Sequence, residues 1–575
     1  MQLISPRTAF ALTLFAGSAA LATFACVGDD PALVGGGDGG PGGDGSLFDG
    51  ASPTAGELTV EMTPAQPEVL PGGSVKVHLK IAGSTPRTGN VKVSLAPAAT
   101  AAGASPLTVD KAQLDLPGEL PEGDVVVDVG ASSRHGLFPI TIVVTATAQS
   151  GAQLRTETSL VMRVVGSAGA LDTGLGEGKG YFDFCPFPTT VACQPGDVFV
   201  YPDNRVLVVG SAYEDKVGDR FVAARFMPDG TLDPSFGTAG VVSQRIGTLF
   251  SFGRAEIAPM KDGSFVLAFT AASYLAYAHM SANGAIDPSW GQDGGVDSPL
   301  ISGDSTNGRI VPTESGFLLV GSFMMPPDNH QVGAVRAHFA DGGIDPSFGD
   351  GGTTTFKVST STTLASAVVD PNANGRIVVG GEDHNGDQTG TKAFLVALTA
   401  KGAIDSTFMG GPAGCGVNLI QGCATNDTPN TTQDGVKGIL RHKNGYISVA
   451  GYSGFSPVEP TMKVFHTSSQ GYSDLFNTIE VDAGADTNGW PGAFLVQPDD
   501  AFLVANGYYA QSFSIVRFDA DGKLDAKFGA NGAAQPVPGY VRRMGIIESG
   551  RQLFVIGSEG GSTPRAIRIA RYWLR

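Results

Sequence analysis

The chain has 575 residues, too many for one compact core and enough for roughly four domain-sized units or one long repeat array. Gly and Pro contribute 81 and 36 residues while charged residues make up only 16%, a profile that suits short strands and tight turns and excludes a mainly helical protein. With 37 Lys+Arg against 55 Asp+Glu the net charge is −18, which argues against a nucleic-acid backbone or an anionic membrane surface as partner.

The first segment is an address. Arg7 supplies a positive flank, and Ala9 to Ala22 is an apolar stretch too short to span a bilayer but of the length expected for the core of a signal peptide. Leu21-Ala22-Thr23-Phe24-Ala25-Cys26 resembles a bacterial lipoprotein lipobox, departing from it at Thr23 and Phe24. The resemblance implies a signal peptide over 1–25 and lipidation of Cys26. The protein is then expected to be an exported, membrane-anchored lipoprotein of the bacterial cell envelope, at the outer membrane or cell surface. Ordinary secretion after Thr23-Phe24-Ala25 is the alternative. Residues 26–54 follow as a tether: Val27 to Thr54 holds ten Gly and five Asp in 28 residues and cannot bury a core. Gly-rich scaling gives it a span of about 30 Å.

Five cysteines fit the same compartment. With Cys26 set aside, Cys185 and Cys193 form one pair and Cys415 and Cys423 another, both with a spacing of eight. In an oxidising compartment two local disulfides are the simplest reading. A single four-thiolate zinc site is the competing one, and its usual two-to-four-residue gap is missing.

Residues 55–166 form the next unit. GELTVEMTP, GGSVKVHLKIAG, GNVKVSLAP, GDVVVDVG, FPITIVVTATA and LRTETSLVMRVV alternate with period two or run β-branched between Gly and Pro. Six or seven strands in this length predict a β-sandwich. The stretch PAQPEVLPGGSVKVHLK from Pro64 to Lys80 resembles the opening of immunoglobulin-like or fibronectin-type stalk domains, without a Cys-Trp-Cys signature.

The remainder, 168–575, repeats. LDTGLG, LDPSFG, IDPSWG, IDPSFG, IDSTFM, YSDLFN and LDAKFG share an acid at Asp172, Asp233, Asp287, Asp345, Asp405, Asp474 and Asp525. These aspartates are read as structural, and most follow a Gly-containing turn such as Asp229-Gly230 or Asp521-Gly522. A second landmark, a turn followed by an apolar strand, recurs in phase: YPDNRVLVVG, MKDGSFVLAF, TESGFLLVG, NANGRIVVGG, HKNGYISVAG, QPDDAFLVANG and IESGRQLFVIG. Each unit thus offers about four strands, the size of a propeller blade, which buries both faces only when stacked on neighbours. At these residues the chain resembles the bacterial delta-60 repeat family, a β-propeller family of the cell envelope whose motifs are structural and carry no catalytic residue to transfer. The fold class expected is all-β: a seven-bladed β-propeller preceded by an immunoglobulin-like β-sandwich. The array opens on an orphan LDTGLG and ends at AIRIARYWLR with no such motif after it, so the N-terminal fragment is expected to complete the last blade. An open superhelix would leave two unpaired edges.

Eight residues before the repeat acid lie Arg225, His279, His466 and Arg517; His338 sits one residue off, Arg571 matches by strand sequence, and Ala397 breaks the series. These groups form either a cationic ring for an anionic ligand or donors to a nearby Asp or backbone carbonyl, the second being the reading preferred. The loop Glu382-Asp383-His384-Asn385-Gly386-Asp387 is the best metal candidate by composition, and Asp519 to Asp525 mimics part of a calcium loop, but both read more simply as solvated loop and turn. No metal or other cofactor is assigned.

No HExxH, GxSxG or P-loop is present. The leading functional expectation is therefore a monomeric, non-catalytic binding or scaffold lipoprotein that recognises an envelope protein or glycan through propeller loops. A hydrolase or lyase acting on extracellular polysaccharide or peptide, with carboxylates drawn from several blades, is the alternative.

Overall fold

The computed structural model describes residues 58–99, 105–188, 191–214, 218–246, 255–270, 275–291, 294–298, 309–325, 330–384, 390–408, 423–426, 433–443, 447–454, 461–467, 479–480, 491–506, 512–547, 550–559 and 566–575. Apart from two single-turn 3-10 segments, the regular structure is strand.

In Ser74–Gly83 the apolar residues Val77, Leu79 and Ile81 alternate with Lys76, His78 and Lys80, so every second side chain turns inward. The same alternation runs through Arg87–Pro97, Glu122–Val129, Gly136–Ala148 and Gln153–Val164. Two sheets result. One orders Leu58–Thr63, Ser74–Gly83, Glu122–Val129 and Leu107–Val109; the other orders Glu68–Val69, Gln153–Val164, Gly136–Ala148, Arg87–Pro97 and Gln113–Leu116. Their inward residues share one apolar core. The sequence pattern counted six or seven strands where the two sheets hold nine. Glu68–Val69, Leu107–Val109 and Gln113–Leu116 are too short for a period-two signal to show.

From Ala192 the strands fall into successive antiparallel groups. The first contains Ala192–Val200, Val206–Glu214, Gly218–Phe226 and Val241–Gln244; the second Ala255–Pro259, Phe265–Thr270, Leu275–Met280 and Val296–Ser298. The third contains Arg309–Pro312, Gly316–Met325, His330–Phe339 and Thr353–Phe356. Ser361–Asp370, Arg376–His384, Thr391–Leu398 and Cys423–Asn426 form the fourth, linked by the single bridge Thr391–Gln433 to a fifth of Gln433–Arg441, Ile447–Gly454, Thr461–Thr467 and Ile479–Glu480. The sixth has Pro491–Val496, Phe502–Asn506 and Ile515–Phe518. The last has Tyr540–Ile547, Gln552–Ser558 and Ile567–Trp573, with Tyr181–Phe184 from the start of the array on its edge.

Each turn-plus-apolar module supplies the second strand of its group. These strands read as continuous apolar runs because both faces are covered. Leu207 and Val209 pack with Phe265 and Leu267 of the second group, while Val206 and Val208, on the opposite face, pack with Ile556 and Ile569 of the last. The other successive groups share apolar clusters in the same way.

The two ends of the array meet. Tyr181–Phe184 runs antiparallel to Ile567–Trp573, with Tyr181 opposite Ala570 and Phe184 opposite Ile567. Leu171 bridges Tyr572, just as Leu232 bridges Phe226 and Leu524 bridges Phe518. The disulfide Cys185–Cys193 then ties this edge strand to the first strand of the first group. Cys26, Cys415, Asp474 and the side chains of Cys423 and His466 lie outside the described residues. The two-sheet unit docks beside this closure. Trp573 Nε1 donates to His135 Nδ1 at 2.9 Å, and Arg551 pairs with Glu68. A Cβ on Gly166 would come within 2.3 Å of the Trp573 ring, so glycine is required for that close approach.

Candidate functional site

Two sets of polar side chains recur from group to group, one at the repeat turns and one on the first strands. In each described repeat turn the Asp Oδ1 accepts the N–H two residues on: Gly174, Ser235, Ser289, Ser347, Thr407 and Lys527, at 2.9 to 3.1 Å. This Asx turn explains the Asp, and the preceding glycine supplies the positive φ of the tight hairpin, +88° at Gly230 and +79° at Gly522. With Oδ1 spent on the turn, Oδ2 faces the strand before it, eight residues earlier at Asp233, Asp287 and Asp525 and supplied by Ile567–Trp573 at Asp172. Arg225 Nε donates to Asp233 Oδ2 at 2.7 Å and Arg571 Nε to Asp172 Oδ2 at 2.6 Å, while His279 and Arg517 lie 3.5 Å from Asp287 and Asp525.

Two members of the sequence series behave otherwise. His338 donates from Nδ1 to the Gly342 carbonyl at 3.0 Å and stacks on Phe317. At Ala397 the missing donor is replaced from a neighbouring strand by Arg376, whose Nε reaches Asp405 Oδ2 at 2.7 Å. Arg205 and Gln552 occupy the same place as Arg376 and give Asp233 and Asp172 a second donor, at 2.9 and 2.7 Å. Sequence reasoning missed these three. Their signal is a polar residue immediately before the apolar run, as in NRVLVVG and GRIVVGG. Burial works against the Asp233 charge, but bonds from the Ser235 hydroxyl and amide and from both guanidiniums outweigh it and hold the carboxyl far below the usual range. The described members of the candidate cationic ring other than His338 thus face carboxylates.

The second set lies on the first strands of the groups. Bulges fall at Gly196, Ala365, Lys437, Gly492 and Arg542, each just before an equivalent register position: Asp197, Ser366, Gly438, Ala493 and Arg543. Glu256 and Arg309 hold that position in the second and third groups. A bulge re-aims the side chains beside it. Side chains at this position reach the next group, with the bulge at Asp197 and Ser366 and without one at Glu256: Asp197 Oδ2 accepts the Ile257 N–H at 3.1 Å, Glu256 Oε2 the Ile310 N–H at 3.4 Å, and Ser366 Oγ the Ile439 N–H at 3.1 Å. Arg543 joins Asp197 at 3.1 Å to Glu256 at 2.5 Å, and Arg309 also pairs with Glu256. Burial pushes both carboxyls above the usual range while Arg543 pulls them back.

Arg542 lies beside this network. Burial lowers its pKa to about 10, so it stays protonated at neutral pH, and its Nε finds no hydrogen-bond partner among the described residues. Three guanidiniums therefore meet two carboxylates. Sequence reasoning passed over these residues, which follow a fixed offset: Asp197, Glu256, Arg309, Ala493 and Arg543 each stand seven residues before the turn residue Asn204, Gly263, Gly316, Asp500 or Gly550.

Of the proposed metal loop, Glu382, Asp383 and His384 lie on the strand Arg376–His384, and 385–387 are outside the described residues. Glu382 pairs with Lys437, and Asp383 accepts from the Ser359 amide at 2.9 Å and the Thr362 hydroxyl at 3.2 Å, so neither is a free loop carboxylate. Asp519, of the calcium-like stretch, caps the amides of Asp521 and Lys523 at 3.0 and 2.8 Å.

Residues 202–236 and 373–408 match the model of a family described as a domain of unknown function (DUF5122) beta-propeller. Both matches start near a turn-plus-apolar module and run to the repeat Asp and its Phe, so the repeats are similar to those of a propeller family of unknown function. No curated protein sequence matches the chain. Among solved structures, the chain is similar to a DUF4623 family protein from Bacteroides eggerthii, at 9% identity and a TM-score of 0.31, covering 81% of this chain and 86% of that one. It is also similar to the acylaminoacyl peptidase of Pyrococcus horikoshii, at 8% identity and a TM-score of 0.36, covering 67% and 52%. The endo-arabinase of Bacteroides thetaiotaomicron matches at 10% identity and a TM-score of 0.26, covering 50% and 94%. Likenesses of this size carry no argument about activity.

Proposed function

We propose that this chain is an exported, envelope-anchored binding or scaffold protein. In this reading 168–575 is a closed seven-bladed β-propeller, carried on an immunoglobulin-like sandwich at 55–166 and held from the membrane by a lipid on Cys26 and the tether 26–54. Its partner is an envelope protein or glycan, met by the loops that vary between repeats, and the protein acts as a monomer. One observation carries the non-catalytic reading: Asp197 and Glu256, the carboxylates that converge on the first strands, are engaged by Arg543, Arg309 and the amides of Ile257 and Ile310. Carboxylates held this way join neighbouring blades and leave little to act as acid or base on a substrate.

Burial that raises both carboxyls, next to the surplus Arg542, supports a second reading, a glycosidase-like hydrolase. A glycan and envelope-protein binding screen of the full chain, run beside a polysaccharide turnover assay, separates the two. Binding without turnover is expected. Turnover that disappears in Glu256→Gln while the fold is retained would establish the hydrolase instead. Equal aqueous recovery of wild type and Cys26→Ala on detergent phase partitioning would remove the lipid anchor from the proposal.

A further inference from the structure

Three junctions between neighbouring groups are closed by the same clasp. Between the first and second groups, Arg225 bonds Asp233 through Nε at 2.7 Å and the Ala282 carbonyl of the second group through Nη1 at 3.0 Å, and its guanidinium lies 4.9 Å from the centre of the Phe236 ring. Between the last and first, Arg571 bonds Asp172 at 2.6 Å and the Pro228 carbonyl at 2.5 Å. Between the sixth and last, Arg517 sits 3.5 Å from Asp525, 2.8 Å from the Leu574 carbonyl and 5.9 Å from the Phe528 ring centre. The recurring receptor is thus a carboxylate, a carbonyl from the neighbour and, in two of the three, an aromatic face. All suit a planar guanidinium.

The third junction keeps the receptor and lacks the arginine. Its turn carries Asp345, with Oδ1 capping Ser347 and, among the described residues, no partner on Oδ2. Phe348 stands where Phe236 and Phe528 stand, and Ala400 of the fourth group where Ala282, Pro228 and Leu574 stand. The donor positions hold Ala337, in place of Arg225, and Gly316, in place of Arg205. A cavity of about 370 Å³ opens there, lined by Asp345, Phe348, Ala400, Thr313, Glu314 and Asn374 among others. Its size falls at the lower end of small-molecule pockets, about 300–1,000 Å³.

We propose that this cavity is a binding site for a guanidinium group, the arginine side chain of a partner polypeptide, which completes from outside the clasp that Arg225, Arg517 and Arg571 complete from within. Glu314, which lines the same cavity as Asp345, adds negative charge to the wall. A free amino acid brings its own carboxylate toward that charge, whereas a peptide arginine does not. The inference stands on the junction geometry and is independent of what the variable loops recognise.

Calorimetric titration of the full-length protein with N-acetylarginine methylamide tests it, with N-acetylcitrulline methylamide as the neutral isostere. We expect the arginine probe to bind at least tenfold more tightly than citrulline, Asp345→Asn to weaken it about tenfold, and Ala337→Arg to abolish it by filling the cavity. Arginine binding no tighter than citrulline, or unchanged in Asp345→Asn, would overturn the site. Free arginine binding as tightly as the blocked form would overturn a polypeptide as its source. Should Ala337→Arg fail to fold, the Asp345→Asn and citrulline comparisons still decide the question.

Discussion

Asp233 and Asp345 occupy the same Asx turn, each with a Ser hydroxyl and amide on Oδ1 at 2.7 and 2.9 Å. They part at the other oxygen. Asp233 takes Arg225 and Arg205 there and is almost wholly buried, 3% exposed; Asp345 takes neither and lies beside a cavity. Local turn chemistry therefore places the carboxylate, and what it does is set by two donor positions on the neighbouring strands. Arginine at either one pairs the carboxylate, as Arg376 does for Asp405 beside Ala397, and with Ala337 and Gly316 together the turn becomes an open receptor.

The largest way to break this comparison is to remove a clasp together with its turn. Deleting 168–184 takes away Leu171 and Asp172, the partners of Tyr572, Arg571 and Gln552, together with the strand Tyr181–Phe184, and leaves the edge of Ile567–Trp573 bare. In a closed ring that loss is felt throughout, so the melting transition of the whole array should fall and aggregation rise through the unpaired edge. Hydrogen exchange that increases only near the deletion, with Ile567–Trp573 still protected, would show the array to be linear.

Removing a single clasp comes next. Arg225→Ala leaves a buried carboxylate with Arg205 as its remaining cation and should cost about 3 kcal/mol, read as a lower denaturation midpoint at unchanged slope. A loss no greater than that of an exposed Arg→Ala control would mean the clasp is ornamental. Opening the local loop by Cys193→Ser should cost about 2.5 kcal/mol in the chain-entropy model for a loop of this length, checked by the same titration under non-reducing conditions.

The smallest effect concerns acid. Asp233 has a folded pKa depressed below 3.8, so its contribution is fully present above the unfolded value and is lost as pH falls through the folded one. Asp233→Asn should therefore flatten the decline of stability below about pH 4. Asp345, lowered by Ser347 alone, should contribute a smaller slope, so Asp345→Asn should leave the acid limb closer to wild type. Equal flattening by both substitutions would contradict the distinction drawn between the two turns.

Much of the strand framework was legible because its causes are local. The seven turn-plus-apolar runs form the second strands, and the Gly-bearing turns take the positive φ that only a small set of residues tolerates. Arg225 is legible at the spacing of eight from Asp233, since that offset is the hairpin itself, and Arg571 by its strand sequence, its acid lying at the other end of the array. The first-strand network was not noticed. Asp197, Glu256, Arg309 and Arg543 come from four repeats, and no periodicity within one repeat says that a charge in an apolar strand will meet its opposite from another.

The sequence by itself determined strand content, turn chemistry and the repeat, because these depend on neighbours a few residues apart. It also set the Asx turn at every described repeat acid. Only the tertiary structure decided which carboxylates are clasped, which first-strand charges neutralise one another, and that the third junction is left open. Those outcomes depend on which carbonyl, ring and guanidinium arrive together from groups some fifty residues apart, as with Arg225 and Ala282. The absence of one guanidinium becomes a cavity only once Phe348 and Ala400 have been packed around the place where it would have been.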